Sequence, residues 1–138
     1  MRKGKVTIRV SDKLFIEPQR KAVLAKFIDF CAKSLALKED YIGNIVASRH
    51  EYGIETTAVS FFNKRTFFVY AKGRSFADIL RSIAHELTHM AQHESGAPMK
   101  HRLRYSSEYE DDANSTAGAI LNAFVDFVGS DIIYEERL

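Results

Sequence analysis

His85, Glu86 and His89 form an HExxH pattern, His85-Glu86-Leu87-Thr88-His89, in a stretch whose apolar spacing predicts a helix. Side chains four apart on a helix stand one above the other on the same face, so the two imidazoles can reach a single metal ion. A glutamate between them sits beside that ion, where it can take a proton from a metal-activated water. Two histidines on a solvated helix face, with no metal at all, would show the same spacing. Glu86 between them favours the metal reading.

A hydrolytic zinc takes three protein ligands and keeps one position open. In HExxHxxGxxH the third ligand is a histidine, but Ser95 holds that position and Gln92 holds the glycine position, which excludes this solution. His93 shares a face with His85 and His89, yet three histidines spread over two turns of ~5.4 Å each are too far apart for a straight helix to close around one ion. His101 is an alternative on the following loop. The favoured third ligand is Glu110, on the helical series 110, 113, 117, 121 of a second helix. It projects on the side of Ala113 and Ala117, which with Gly118 are small enough to admit another helix. Ser107-x-x-Glu110 also fits a capping box, which would make Glu110 a helix-start device. Glu108, Asp111 or Asp112 would replace it if the helix slipped in register. Asn114, one turn on, is placed to accept a hydrogen bond from the outer nitrogen of a ligating histidine.

The elements that must position these groups can be read from period and punctuation. Val6, Ile8 and Val10 alternate with polar residues, a half-buried strand over Lys5 to Val10. Pro18 suits a first helical position, and Val23, Leu24, Phe27, Ile28, Cys31 and Leu35 continue at helical spacing to near Lys38. Ile42 to Ser48 is a short apolar strand. Thr56 to Phe62 and Thr66 to Ala71 are rich in β-branched and aromatic residues and flank Asn63-Lys64-Arg65, a hairpin. The motif helix starts at an N-cap, Ser75, with Asp78 three residues on, and stops at Gly96, followed by Pro98. Its stripe of Phe76, Leu80, Ile83, Leu87 and Met90 should pack on the sheet, with His85 and His89 on the opposite, polar arc. The second helix should run from Ser106 or Ser107 to about Val128, with Ala113, Ala117, Ile120, Leu121, Phe124 and Val128 as its apolar stripe. Between the helices, Ser95 to Tyr105 is an irregular and partly basic loop that would rim the site. From Gly129 the tail would add a short strand or fray.

With 138 residues, 46% hydrophobic and 12% aromatic, the chain reads as one globular domain with a real core. A net charge of +2 is too mild to point to nucleic acid or a membrane, and the basic loop has too few positions to change that. Cys31, the one cysteine, excludes an internal disulfide and a cysteine zinc ribbon, and falls on the apolar face of its helix. No apolar run approaches the ~20 residues of a membrane span, and the polar start lacks a signal-peptide core. The expectation is a soluble, cytoplasmic protein whose partner is a peptide or protein substrate.

HExxH on one helix, followed on the next by Glu110-Asp111-Asp112-Ala113-Asn114, resembles the gluzincin metallopeptidases, whose third zinc ligand is a glutamate often set in an ExxA[DN] context. The small size and element order resemble the compact minigluzincins and the ImmA/IrrE-like metallopeptidases of phage and mobile elements. The motif resemblance spans roughly Ser75 to Phe127. It implies an α+β, zincin-like single domain over residues 1–138: a small mixed or antiparallel sheet packed on an N-terminal helix, an HExxH helix and a C-terminal glutamate helix. It also implies one zinc ion held by His85, His89 and Glu110, with Glu86 as general base. The strand before the motif helix, Thr66 to Ala71, would be the edge that pairs with extended substrate. Two departures stand out. Asn114 occupies a position that is often acidic in such enzymes, and no helix-turn-helix accompanies the core.

The chemistry so implied is metal-assisted amide hydrolysis, with Glu86 accepting a water proton and passing it to the leaving amine. The tetrahedral oxyanion needs a further donor. Tyr105, Tyr109, His93 and His101 compete for that role and the sequence does not choose among them; Tyr109 is carried forward as the catalytic candidate beside Glu86. Phe67, Phe68 and Tyr70 would either line a substrate pocket on the edge strand or pack in the core. The alternative function is a catalytically inactive zincin-like domain that binds a protein partner.

Overall fold

The computed structural model describes residues 3–97 and 107–134, with the side chains at 132 and 134 left aside. The sheet is built from β1 (Val6–Val10), β2 (Tyr41–Val46), β3 (Ala58–Phe61) and β4 (Thr66–Tyr70), and the helices are α1 (Pro18–Ser34), α2 (Phe76–Glu94), α3 (Ser107–Val128) and a short α4 (Asp131–Tyr134). Strand order is β1-β2-β4-β3. β1, β2 and β4 run parallel, and β3 pairs antiparallel with β4 at the edge. A parallel β1–β2 pair needs a crossover, which α1 supplies. The result is a mixed α+β domain with its helices on the face of the sheet that buries Tyr41, Ile45, Phe67 and Val69.

The hairpin falls where expected, but its turn is a 3-10 segment, Phe62–Lys64, closed by Arg65 in the left-handed region (φ 48°). α1 begins at Pro18 and stops at Ser34, short of Lys38, because the chain turns through Ala36 at φ 50°. Gly43 allows β2 to accept the Phe67 ring from its neighbour: a Cβ there would lie 2.4 Å from the ring's Cζ. The tail differs from expectation. Instead of a strand or a frayed end it forms α4, whose Ile133 is fully buried in the core against α2.

The strand before the motif helix is also corrected. β4 is hydrogen-bonded on both sides, and the edge beside the motif helix is β3. A strand that leads straight into a helix can still lie inside the sheet when the preceding strand folds back along it as a hairpin.

α2 is the central element. Ser75 caps it, its hydroxyl accepting from the Asp78 N–H at 3.1 Å, and Gly96, at φ 86°, lies just beyond its end. Both ends are tied to the sheet. At the start, Arg74 donates to the Tyr70 carbonyl and the Ser82 hydroxyl, each at 2.8 Å. At the finish, Glu94 accepts from the Lys38 and Glu39 N–H groups at 2.9 and 3.1 Å and from the Tyr41 hydroxyl at 2.5 Å. Phe76, Leu80, Ile83, Leu87 and Met90 are fully buried, as the stripe required. On the opposite arc the first turns stay half-exposed at Asp78 and Arg81, but from His85 to Gln92 the arc is covered, because α3 packs along it. Ala113 and Ala117 have no exposed surface and let the two helices approach.

Candidate metal centre

The turn of α2 that carries HExxH faces the first turn of α3. His85 and His89 bring their rings edge to face with centroids 4.7 Å apart, and their Nε2 atoms are separated by 3.1 Å. Glu110 reaches across from α3: its Oε1 lies 3.4 Å from His85 Nε2 and in direct contact with His89 Nε2. One ligand atom from each of the three residues lies within 4.8 Å of the others, the one such group of three among the described residues. Two nitrogens each ~2.0–2.1 Å from a tetrahedral zinc would stand about 3.3 Å apart, so the spacing of the rings suits a shared ion. The carboxylate of Glu110 points to the rings, not back to the helix start as a capping box would have it.

The hydrogen bonds around His89 call for a cation between its ring and Glu110. Gln92, one turn beyond His89, donates from Nε2 to the Tyr109 carbonyl at 3.0 Å and to Asp112 Oδ2 at 2.8 Å. With both donors used, its Oε1 faces His89 Nδ1 at 2.8 Å, and this ring nitrogen must be the one that carries hydrogen. Neutral His89 then presents a lone pair at Nε2, directly against the Glu110 carboxylate oxygen. Two acceptors face to face repel unless a cation lies between them, either a proton on the ring or a metal ion. The donor set of two imidazole nitrogens and a carboxylate oxygen fits a borderline-soft divalent metal.

Gln92 thus takes the orienting role expected of Asn114, which is exposed on α3. The helical phase puts Asn114 a turn too far along, whereas Gln92 sits on the histidine helix itself. Nothing in the sequence marks Gln92 or Asp112 for this role, since its geometry depends on a contact between helices.

Glu86 is buried at 7% exposure and accepts a hydrogen bond from the Ser60 hydroxyl of β3 at 2.7 Å on Oε1. Its Oε2 lies 3.9 Å from His85 Nε2. Burial pushes the Glu86 carboxyl above its ordinary value; the Ser60 hydroxyl and His85 pull it back, and Glu110 adds to the rise. A carboxylate tuned upward in this way suits a general base at neutral pH.

The four residues His85, Glu86, His89 and Glu110 line one cleft of about 700 Å³, whose far wall is the edge strand and its approach, Gly53 and Glu55 through Ser60. Asp111 and Ser107 complete the α3 side. No protein-family model, curated protein or solved structure matches the chain. The geometry therefore stands by itself.

Other candidates fall elsewhere. Tyr109 packs against the core and lines a separate concavity with Thr88, Ala91 and Gln92, so the structure does not bring it together with Glu86. His93 stacks on Phe62 at 5.0 Å and takes no part in the three-residue group. Glu108 is exposed. Lys100, His101, Arg102, Arg104 and Tyr105 lie outside the described residues. Phe67 is core, whereas Phe68 lies on the other face of the sheet and stacks on Tyr52 at 4.8 Å, and Tyr70 lies under Arg49 at 5.1 Å. None of the three lines the cleft. Among the described residues no helix is long and apolar enough to cross a membrane.

Proposed function

We propose that this chain is a zinc-dependent metallopeptidase of the gluzincin kind, with a zincin-like fold, that hydrolyses peptide bonds in a peptide or protein substrate. His85, His89 and Glu110 hold the ion. The observation that carries the reading is the meeting of His85 and His89 Nε2 with Glu110 Oε1, beside a buried carboxylate, in an open cleft. Bound zinc would supply Lewis acidity toward the scissile carbonyl and lower the pKa of a coordinated water toward ~7.

The chain's own groups do the rest. Glu86 accepts the water proton at Oε2, the oxygen not engaged by Ser60, and delivers it to the leaving amine. Gln92 holds His89 in the tautomer that keeps Nε2 for the ion. The outer edge of β3 borders the cleft along its length and offers backbone groups to an extended peptide.

The alternative, a protein-binding domain without turnover, is separated by Glu86→Gln. Removing the base while keeping the amide's size should lower turnover of a quenched fluorescent peptide library by about 10²–10⁴-fold with zinc content unchanged. Absence of turnover by the zinc-loaded wild type would sink the hydrolase reading, and wild-type turnover by the variant would remove Glu86 as its base.

A further inference from the structure

We infer that Ser60 is a positioning residue for the Glu86 base, and that it ties the base to the strand edge on which substrate lies; this rests on the peptidase reading above. Ser60 is buried on β3 and its hydroxyl donates to Glu86 Oε1 at 2.7 Å, a bond that crosses from sheet to motif helix. Among the described residues no other hydrogen bond reaches the Glu86 carboxylate. A carboxylate held at one oxygen has its other oxygen aimed, here toward the His85 side of the cleft.

The backbone of Ser60 faces the other way. Tyr70 N–H donates to the Thr57 carbonyl at 2.8 Å, which makes Thr57 and Tyr70 a hydrogen-bonded antiparallel pair. Alternation along the ladder then gives Val59 and Phe61 to β4 and turns the N–H and C=O groups of Ala58 and Ser60 to the outer edge. β3 has no strand on that side among the described residues. A peptide strand added there would bond to the backbone of the same residue whose side chain sets the base. Substrate docking and base alignment share one residue, so a shift of β3 on binding moves both together.

The full chain loaded with zinc, assayed on the peptide library, provides the test. Ser60→Ala should lower kcat on the order of tenfold or more while KM and zinc affinity stay within about twofold, and Ser60→Thr, which keeps the hydroxyl, should recover most of the loss. A crystal structure of Ser60→Ala gives a readout independent of turnover: the Glu86 carboxylate should leave its place in the wild type. Wild-type kcat in Ser60→Ala alongside an inactive Glu86→Gln, or an unmoved carboxylate, overturns the inference and leaves the peptidase reading standing. A zinc-loaded wild type without turnover overturns the reading and the inference with it, and wild-type turnover by Glu86→Gln removes the base that the inference positions.

Discussion

The two sides of α2 are both buried, and they are built from opposite materials. Toward the sheet, Phe76, Leu80, Ile83, Leu87 and Met90 present a continuous apolar surface. Toward α3 and the cleft, Glu86, Thr88, His89 and Gln92 are each less than one-tenth exposed. The first side is what any core helix does, since burial of apolar surface contributes roughly 25 cal/mol per Å². The second costs free energy unless every polar atom finds a partner. The partners are present: Thr88 donates back to the Ala84 carbonyl at 2.8 Å, Gln92 spans to Tyr109 and Asp112, and Ser60 meets Glu86. Among the described residues no buried side-chain polar atom is left unpaired. Stability would be served more simply by apolar side chains there, so the polar side is where selection for something other than stability shows.

That contrast can be broken in a graded series. The largest stability effect belongs to the apolar side. Leu87→Ala, although it lies inside the HExxH pattern, should destabilise the fold by about 2–5 kcal/mol in urea unfolding, while the folded fraction keeps its affinity for zinc. A loss of zinc affinity without a loss of stability would show that the two sides are not separable.

On the polar side the order should reverse. Gln92→Leu removes the acceptor at His89 Nδ1 and should weaken zinc binding by about 10–100-fold, read by competition with a chelator. Unaltered affinity would mean that Gln92 does not set the His89 tautomer.

The smallest effect tests an ionisable group within the apolar core. Burial pushes the Cys31 thiol well above its ordinary value, so the folded chain holds a proton that the unfolded chain releases above ~8.5. The folded state then binds more protons than the unfolded one, and stability falls as pH rises through that value. Between pH 8 and pH 9.5 the loss should be about 1 kcal/mol, and Cys31→Val should abolish this component. Equal slopes in the two proteins would place the thiol in contact with water.

The same contrast explains what the sequence made legible. The apolar stripe of α2, the Ser75 cap, the Pro18 start and the hairpin depend on neighbours in sequence, and they fall within a few residues of their expected places. The His85–His89 pair is legible for the same reason, being one turn of one helix. Glu110 could be phased because Ala113 and Ala117 mark the face on which α3 approaches α2. Strand order is a long-range property, so β4 read as an edge although β3 covers it. The partners of the polar groups are equally remote. Ser60 on Glu86 and Gln92 between His89 and Asp112 are ordinary residues until the tertiary structure sets them 2.7–2.8 Å from their partners. Ile133, in a segment expected to add a strand or fray, is buried because α4 packs against α2, a long-range contact that its own segment does not signal.

Joint grip on one ion by two helices is tested most directly by elemental analysis of the purified wild type and of Glu110→Ala. About one equivalent of zinc in the wild type, sharply reduced in the variant, is the expected result. Zinc retained in full by Glu110→Ala, or a wild type that takes up none when the metal is supplied, would contradict it.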